Sequence, residues 1–239
     1  MKENLMLFIQ IPSKSGEVIN KMKIIAYNIS SCTQQKLDEL YKQEADVYIV
    51  PEIAKDVKIP DGYHNIWNGK YPPKGLGIIF NNAFVHKSYD KSLPYAIPIK
   101  HEDIFILAFW PTKMEKNQSY TKIARQIIEH YADDLKSNAS IITGDFNLYH
   151  KESVPNKAAD ILEIDKLLQE YGLKSVYHEI TGQHFGEETE KTYFHQFKND
   201  NPFFLDYTYY SQNLLKIKKY ELLPWDAKFS DHRGQMIIL

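Results

Sequence analysis

SIITGDFN, residues 140–147, sets a short apolar run against a glycine, an aspartate, an aromatic residue and an asparagine. Its first half has the length and β-branched content of a buried strand. Its second half presents Asp145 and Asn147 where that strand ends. Working outward, the same arrangement recurs. Residues 22–29, MKIIAYNI, are apolar and lead to Asn28; residues 46–50, DVYIV, run through Pro51 to Glu52; and Asp231 and His232 stand just before a final apolar run at 235–239. Further runs at 76–80, 103–110, 203–210 and 217–223 have strand length and composition.

Helical periodicity lies between these runs. Residues 33–43 are polar and helix-compatible, and Ile123, Ile127, Tyr131 and Leu135 recur every four residues. The segment 158–171 gathers Ile161, Leu162, Ile164, Leu167 and Leu168 largely on one face, and Gly172 supplies its stop. Strands and helices in mixed order with no long linker predict one α/β (α+β) domain over 22–239, with sheets covered by helices. Residues 1–21 read as an N-terminal extension, contributing at most a peripheral strand at 5–11.

Composition narrows the function. With 239 residues, 43% hydrophobic and 25% charged, the chain can bury a sizeable core. Its single cysteine, Cys32, excludes an internal disulfide and a cysteine-rich zinc site, which suits a reducing cytoplasm. No run is long enough to span a bilayer, and a monomer is expected. Net charge is −2, and only Arg125 and Arg233 among the 29 basic residues are arginines, so a grip on long duplex DNA would rest on local lysines.

Taken alone, Asn28 or Glu52 reads as a solvated turn residue or a cap. Collected together, carboxylate, amide and imidazole groups without cysteine suit a hard, oxygen-liganded ion such as Mg²⁺ or Mn²⁺, which suits phosphoryl chemistry. His178, His184 and His195 lack tight ligand spacing and read as surface or supporting residues rather than a zinc site.

In order and approximate spacing, MKIIAYNIS, DVYIVPE, IITGDFN, FLDYTYYS and FSDH resemble the five signature segments of the endonuclease/exonuclease/phosphatase superfamily, which includes exonuclease III, AP endonucleases and deoxyribonuclease I. The resemblance covers 22–232. It implies a four-layer sandwich of two packed mixed β-sheets flanked by helices, and a metal-dependent phosphodiester hydrolase. By the same resemblance Glu52 is the principal metal ligand, with Asn28 and Asp231 beside it directly or through water. Asp145 orients or deprotonates the attacking water, Asn147 donates to the developing oxyanion, and His232, held by Asp206, stabilises the same charge. KGLGIIF (74–80) and KTYFHQF (191–197) are softer matches, the second suggesting a strand near the substrate groove. Trp110, Thr192 and Tyr193 are the candidate substrate contacts, although with 13% aromatic residues at least two of Trp110, Tyr193 and Phe194 are expected in the core.

Departures concern the periphery. Where exonuclease III and AP endonucleases carry a tyrosine before Trp110, this chain has Phe109; Pro51 precedes the glutamate, and Phe204 stands two places before Asp206. The expected substrate is DNA, with single-stranded, nicked or damaged forms favoured, and the alternative is a small nucleotide or lipid-like phosphoester. A catalytically silent module of the same fold is the third reading.

Overall fold

A computed structural model of the chain describes residues 21–86, 93, 95–113, 115–151 and 159–239. Apart from Lys21, the N-terminal extension and its possible strand at 5–11 lie outside the described residues, as does Ala158 at the start of one expected helix.

Two six-stranded sheets form the centre. One consists of β1 (Lys23–Ala26), β2 (Val47–Ile53), β3 (Tyr63–Tyr71), β4 (Lys74–Asn81), β11 (Lys219–Leu222) and β12 (Gln235–Ile238), in the order β11-β12-β1-β2-β4-β3. The other consists of β5 (Val85–His86), β6 (Ala96–His101), β7 (Ile104–Phe109), β8 (Ala139–Asp145), β9 (Leu173–Ser175) and β10 (Asp206–Ser211), in the order β5-β6-β7-β8-β10-β9. Each sheet is mixed. In the first, β1 and β2 are the parallel pair; in the second, β7 and β8 are.

Alternation of side chains along the strands explains the layering. Ile24, Val47, Ile49 and Ile78 point inward to meet Ile97, Ile99, Ile106 and Ile141 of the opposite sheet in an inter-sheet core. Their neighbours Ile25, Tyr48 and Val50 point outward, where Leu37 and Leu40 of α1 (Gln34–Tyr41) cover them. On the far side, Phe105, Leu107 and Ile142 are covered by α2 (Tyr120–His130), α3 (Ala132–Ser137) and α4 (Ile161–Glu170), with α5 (Val176–Thr181) contributing Tyr177. The result is the four-layer arrangement of helix, sheet, sheet and helix. Thr33, Ser119 and Asp160 cap α1, α2 and α4 by accepting backbone N–H bonds. Gly172 follows α4 with φ +82°, as the expected stop requires.

The expected strands are present with shifted ends; β10, for example, begins at Asp206 rather than at 203, and β4 runs from Lys74 to Asn81 rather than over 76–80. Four strands went unread: β3, β5, β6 and β9. The stretch 191–197 is not a sheet strand: Tyr193 makes single bridges to Phe203 and His232, and 195–197 form a 3₁₀ turn. Among the described residues, no helix is long and apolar enough to cross a membrane.

Candidate active site at one end of both sheets

Topology collects the candidate residues. Parallel β1 and β2 deliver Asn28 and Glu52 at their C-terminal ends, and β8 delivers Asp145 at its own. Because β12 runs antiparallel to β1, and β10 antiparallel to β8, the residues just before β12 and at the start of β10 reach that same end. Asp206 is the direct cross-strand partner of Asp145.

Backbone geometry explains the tetrapeptide at 144–147. Gly144 has φ +148°, and a Cβ there would meet the carbonyl oxygen of Phe109 at 2.0 Å, so no other residue fits. Asn147 takes φ +52°, a left-handed conformation that asparagine tolerates, and its backbone N–H donates to Asp145 Oδ1 at 2.9 Å. Glu52 has φ +66° in a register irregularity between Pro51 and Ile53, an uncommon conformation for a residue with a side chain.

Asn28 is the hub. Its Nδ2 lies 3.0 Å from Asp145 Oδ2, 3.5 Å from Glu52 Oε1 and 3.3 Å from His232 Nε2. Its Oδ1 accepts from Ser30 N at 3.1 Å, so in this orientation the amide serves the carboxylates as a donor and keeps an oxygen lone pair. Buried Ser230 ties the assembly together: its hydroxyl donates to the Asn28 carbonyl at 2.6 Å and accepts from His232 N–H at 3.0 Å.

His232 is 4% exposed, with Nδ1 2.9 Å from Asp206 Oδ2 and Nε2 3.9 Å from Asp145 Oδ2. Burial opposes its charge, but the Asp206 and Asp145 carboxylates outweigh burial and raise its pKa to about 10. Asp145 is also held above its ordinary range. Burial raises it to about 7, with Asp206 adding to the rise and His232 opposing it. The imidazole and carboxylate atoms of Asp145, Asp206 and His232 lie within 4.8 Å of one another.

The remaining expected residues fall in different places. Asp231 is partly exposed, and its carboxylate makes no hydrogen bond or ion pair to a described residue. Asn147 Nδ2 donates to the Pro111 carbonyl at 3.1 Å and makes a longer contact, 3.4 Å, to Asp145 Oδ2. Thr192 is fully buried; its hydroxyl accepts from Leu205 N and Asp206 N, so it fixes the start of β10 instead of facing a groove. Trp110 is 2% exposed, packed edge-on against Tyr95 with Lys74 over its ring, so it is one of the aromatics expected in the core and not an open substrate contact. Phe194 is also core, stacked on Trp225 at 3.9 Å. Tyr193 does reach the site. Its ring lies 4.7 Å from that of His232, and its hydroxyl lies 2.8 Å from His195 Nδ1.

Residues unread from the sequence join Tyr193 in the surroundings. A cavity of about 210 Å³ beside Asn147 is lined by Lys113, Tyr120, Tyr149, Tyr193 and Phe203. The Tyr120 phenol is raised by burial and by the charges of Asp145 and Glu52, and Tyr193 is raised to about 12 by burial and by Asp231, Asp145 and Glu52. The position of Tyr120 inside this aromatic wall carries no motif. Lys74 Nζ lies 2.9 Å from Glu52 Oε1.

A four-layer sandwich with a histidine, amides and acids gathered where both sheets end defines a class of phosphoesterase-like α/β domains. Residues 26–232 match the model of the Endonuclease/Exonuclease/phosphatase family, and the chain belongs to that family of nucleases and phosphoesterases. No curated protein matches the chain. Solved structures of similar fold include the AP endonuclease LMAP from Leishmania major, at 12% identity and a TM-score of 0.71, covering 97% of this chain and 92% of that one. The 3′-5′ exonuclease NExo from Neisseria meningitidis aligns at 15% identity and 0.67, over 90% and 98% of the two chains. The endonuclease domain of TRAS1, a telomere-specific non-LTR retrotransposon, aligns at 15% and 0.63, over 90% and 97%.

Proposed function

We propose that this chain is a divalent-metal-dependent phosphodiester hydrolase acting on DNA, with single-stranded, nicked or damaged forms preferred. The observation that carries the reading is the convergence of Glu52, Asp145 and His232 on the single amide of Asn28. Glu52 and Asp231, with Asn28 beside them, would hold Mg²⁺ or Mn²⁺. The donor set fits such an ion: it is oxygen-rich and hard, the Asp231 carboxylate makes no hydrogen bond or ion pair to a described residue, and Glu52 is ion-paired with the exposed Lys74. When bound, the ion neutralises charge on the phosphate and on the departing oxygen.

The chain's own residues supply the rest. Asp145, with a pKa near 7, is poised to orient water and take its proton at Oδ2. His232 is held as imidazolium by Asp206 at Nδ1, which leaves the Nε2 proton for a phosphate oxygen, since the neighbouring Asn28 Nδ2 is itself a donor. The Asn147 amide has one N–H on Pro111 and a second, more loosely held, that can turn to the same developing charge. The aromatic cavity beside Asn147 supports a substrate that carries bases or exposed sugars, since aromatic faces take unstacked bases at about 1–3 kcal/mol each. Similarity in fold to an AP endonuclease and an exonuclease also supports DNA.

One observation favours a second reading, a small phosphoester. Both arginines are engaged within the protein, Arg125 by Glu129 and Glu163, Arg233 by Glu190 and the carbonyls of Leu222 and Leu223. Neither is free to grip a polyanion. Hydrolysis assays in Mg²⁺ or Mn²⁺ on single-stranded, nicked, abasic-site and duplex DNA, alongside a nucleotide monophosphate and a generic phosphodiester, separate the two. Cleavage of DNA that vanishes in His232→Ala and weakens steeply with salt supports the nuclease reading. Turnover of the small substrates alone overturns it.

A further inference from the structure

Lys74 opens β4 opposite the irregularity that creates Glu52, where pairing steps from Pro51↔Leu76 to Ile53↔Gly75. Its ammonium lies 2.9 Å from Glu52 Oε1 and 5.7 Å from the centre of the Trp110 ring. Oε1 is also the oxygen that Asn28 Nδ2 approaches at 3.5 Å, so Lys74 covers the side of Glu52 that faces the site. Lys74 remains 56% exposed and Glu52 21%, and an ion pair this open is weak. Other nearby cations are committed: Lys36 donates to the carbonyls of Ile29 and Ser30, and Arg233 is held by Glu190.

Resting on the metal reading above, we infer that Lys74 is an exchangeable counter-ion that yields Glu52 to a divalent cation and then binds a non-bridging oxygen of the substrate phosphate. Without the cation, the ammonium neutralises Glu52. With the cation on Glu52, the ammonium faces a like charge a few ångströms away, and its flexible four-carbon stem lets it swing outward without disturbing β4. An arriving phosphate supplies the anion it has lost. Cation and phosphate therefore bind with positive coupling, through a residue that touches each in turn.

Calorimetric titration of Mn²⁺ into the metal-free protein, followed by a hydrolysis-resistant phosphorothioate dinucleotide, tests this at equilibrium without turnover. Lys74→Met is expected to bind Mn²⁺ roughly tenfold more tightly than wild type, because a competing charge has gone, and to show a smaller Mn²⁺-dependent gain in dinucleotide affinity, keeping only the part that the ion itself supplies. Lys74→Arg should keep the wild-type gain. Unchanged or weaker Mn²⁺ binding in Lys74→Met, with binding still abolished by Glu52→Gln, overturns the exchange while leaving the metal reading intact. Equal Mn²⁺ binding by wild type and Glu52→Gln overturns the metal reading itself, and the exchange with it.

Discussion

Two histidines, His232 buried and His178 partly buried, each sit on a carboxylate in the same half of the molecule, and they have opposite surroundings. His178 has both ring nitrogens occupied by the protein: Nδ1 lies 2.7 Å from Ser175 Oγ and Nε2 3.3 Å from Glu188 Oε1. Its ring is stacked on Phe185 at 3.7 Å, and Glu188 accepts further from Gly186 N and pairs with Lys191. His232 has only Nδ1 occupied by a firm partner, Asp206; its Nε2 faces an amide donor and a second carboxylate at 3.9 Å. A saturated ring holds structure together, whereas a ring with an unspent proton beside displayed acids can act on a substrate. His178 was expected at the surface or in a supporting role, and it is a partly buried histidine that supports Glu188 and Phe185.

The largest expected effect separates the pairs outright. His232→Ala should lower the hydrolysis rate of the folded protein by on the order of a hundredfold to a thousandfold. His178→Ala should leave the rate of the folded protein within about threefold while destabilising it by about 2–3 kcal/mol, since the Glu188 charge stays buried. Rates measured below the unfolding transition, together with urea denaturation, check both. Equal rate losses would erase the distinction. Next in size, Asp206→Asn should reduce the rate by about ten- to a hundredfold by weakening the imidazolium's hold on its proton, whereas Glu188→Gln should change only the denaturation midpoint.

The pairs should also part with pH in the metal-free protein. Burial opposes the Glu188 charge, but the His178 hydrogen bond and backbone donors hold its carboxyl below the ordinary 4.5. Its contribution is therefore complete above that value and disappears as pH falls through the lowered native pKa. His232 is raised from 6.5 to about 10, so its contribution is complete below 6.5 and disappears as pH rises toward 10. Melting curves of Glu188→Gln against wild type should converge in acid, and those of His232→Ala should converge in alkali. Convergence of both at the same end would break the assignment.

What the sequence disclosed follows from how local each signal is. The runs feeding Asn28, Glu52 and Asp145 were legible because buried strands are continuously apolar and polar residues stop them abruptly. β3, YHNIWNGKY, escaped because it is an edge strand whose polar residues meet solvent, and β5 is only two residues long. The pairing of Asp206 with His232 joins positions 26 residues apart and came only from family resemblance. Lys74 beside Glu52 and Ser230 under Asn28 depend on strand register and on contact across the chain, which no local pattern encodes. Burial was misjudged for Trp110 and Thr192 as substrate contacts, because an aromatic or hydroxyl next to a motif reads the same whether it faces outward or inward.

The smallest effect is the sharpest, since it concerns one hydroxyl in each pair. Ser175 Oγ meets His178 on the nitrogen opposite Glu188. Ser230 Oγ joins the Asn28 carbonyl to the His232 N–H, bridging β1 to the segment before β12. Each substitution to alanine removes a buried bond and should lower stability by about 1 kcal/mol, so denaturation alone would not tell them apart. The rate should. Ser230→Ala leaves the Asn28 amide and the His232 ring anchored to separate strands with no shared clamp, and a misplacement of a few tenths of an ångström there should lower kcat by about three- to tenfold with KM nearly unchanged. Ser175→Ala should leave kcat unchanged, and Ser230→Thr, which restores a hydroxyl, should recover part of the loss. Equal kcat for both alanine variants would mean that Ser230 only fastens the fold, as Ser175 does.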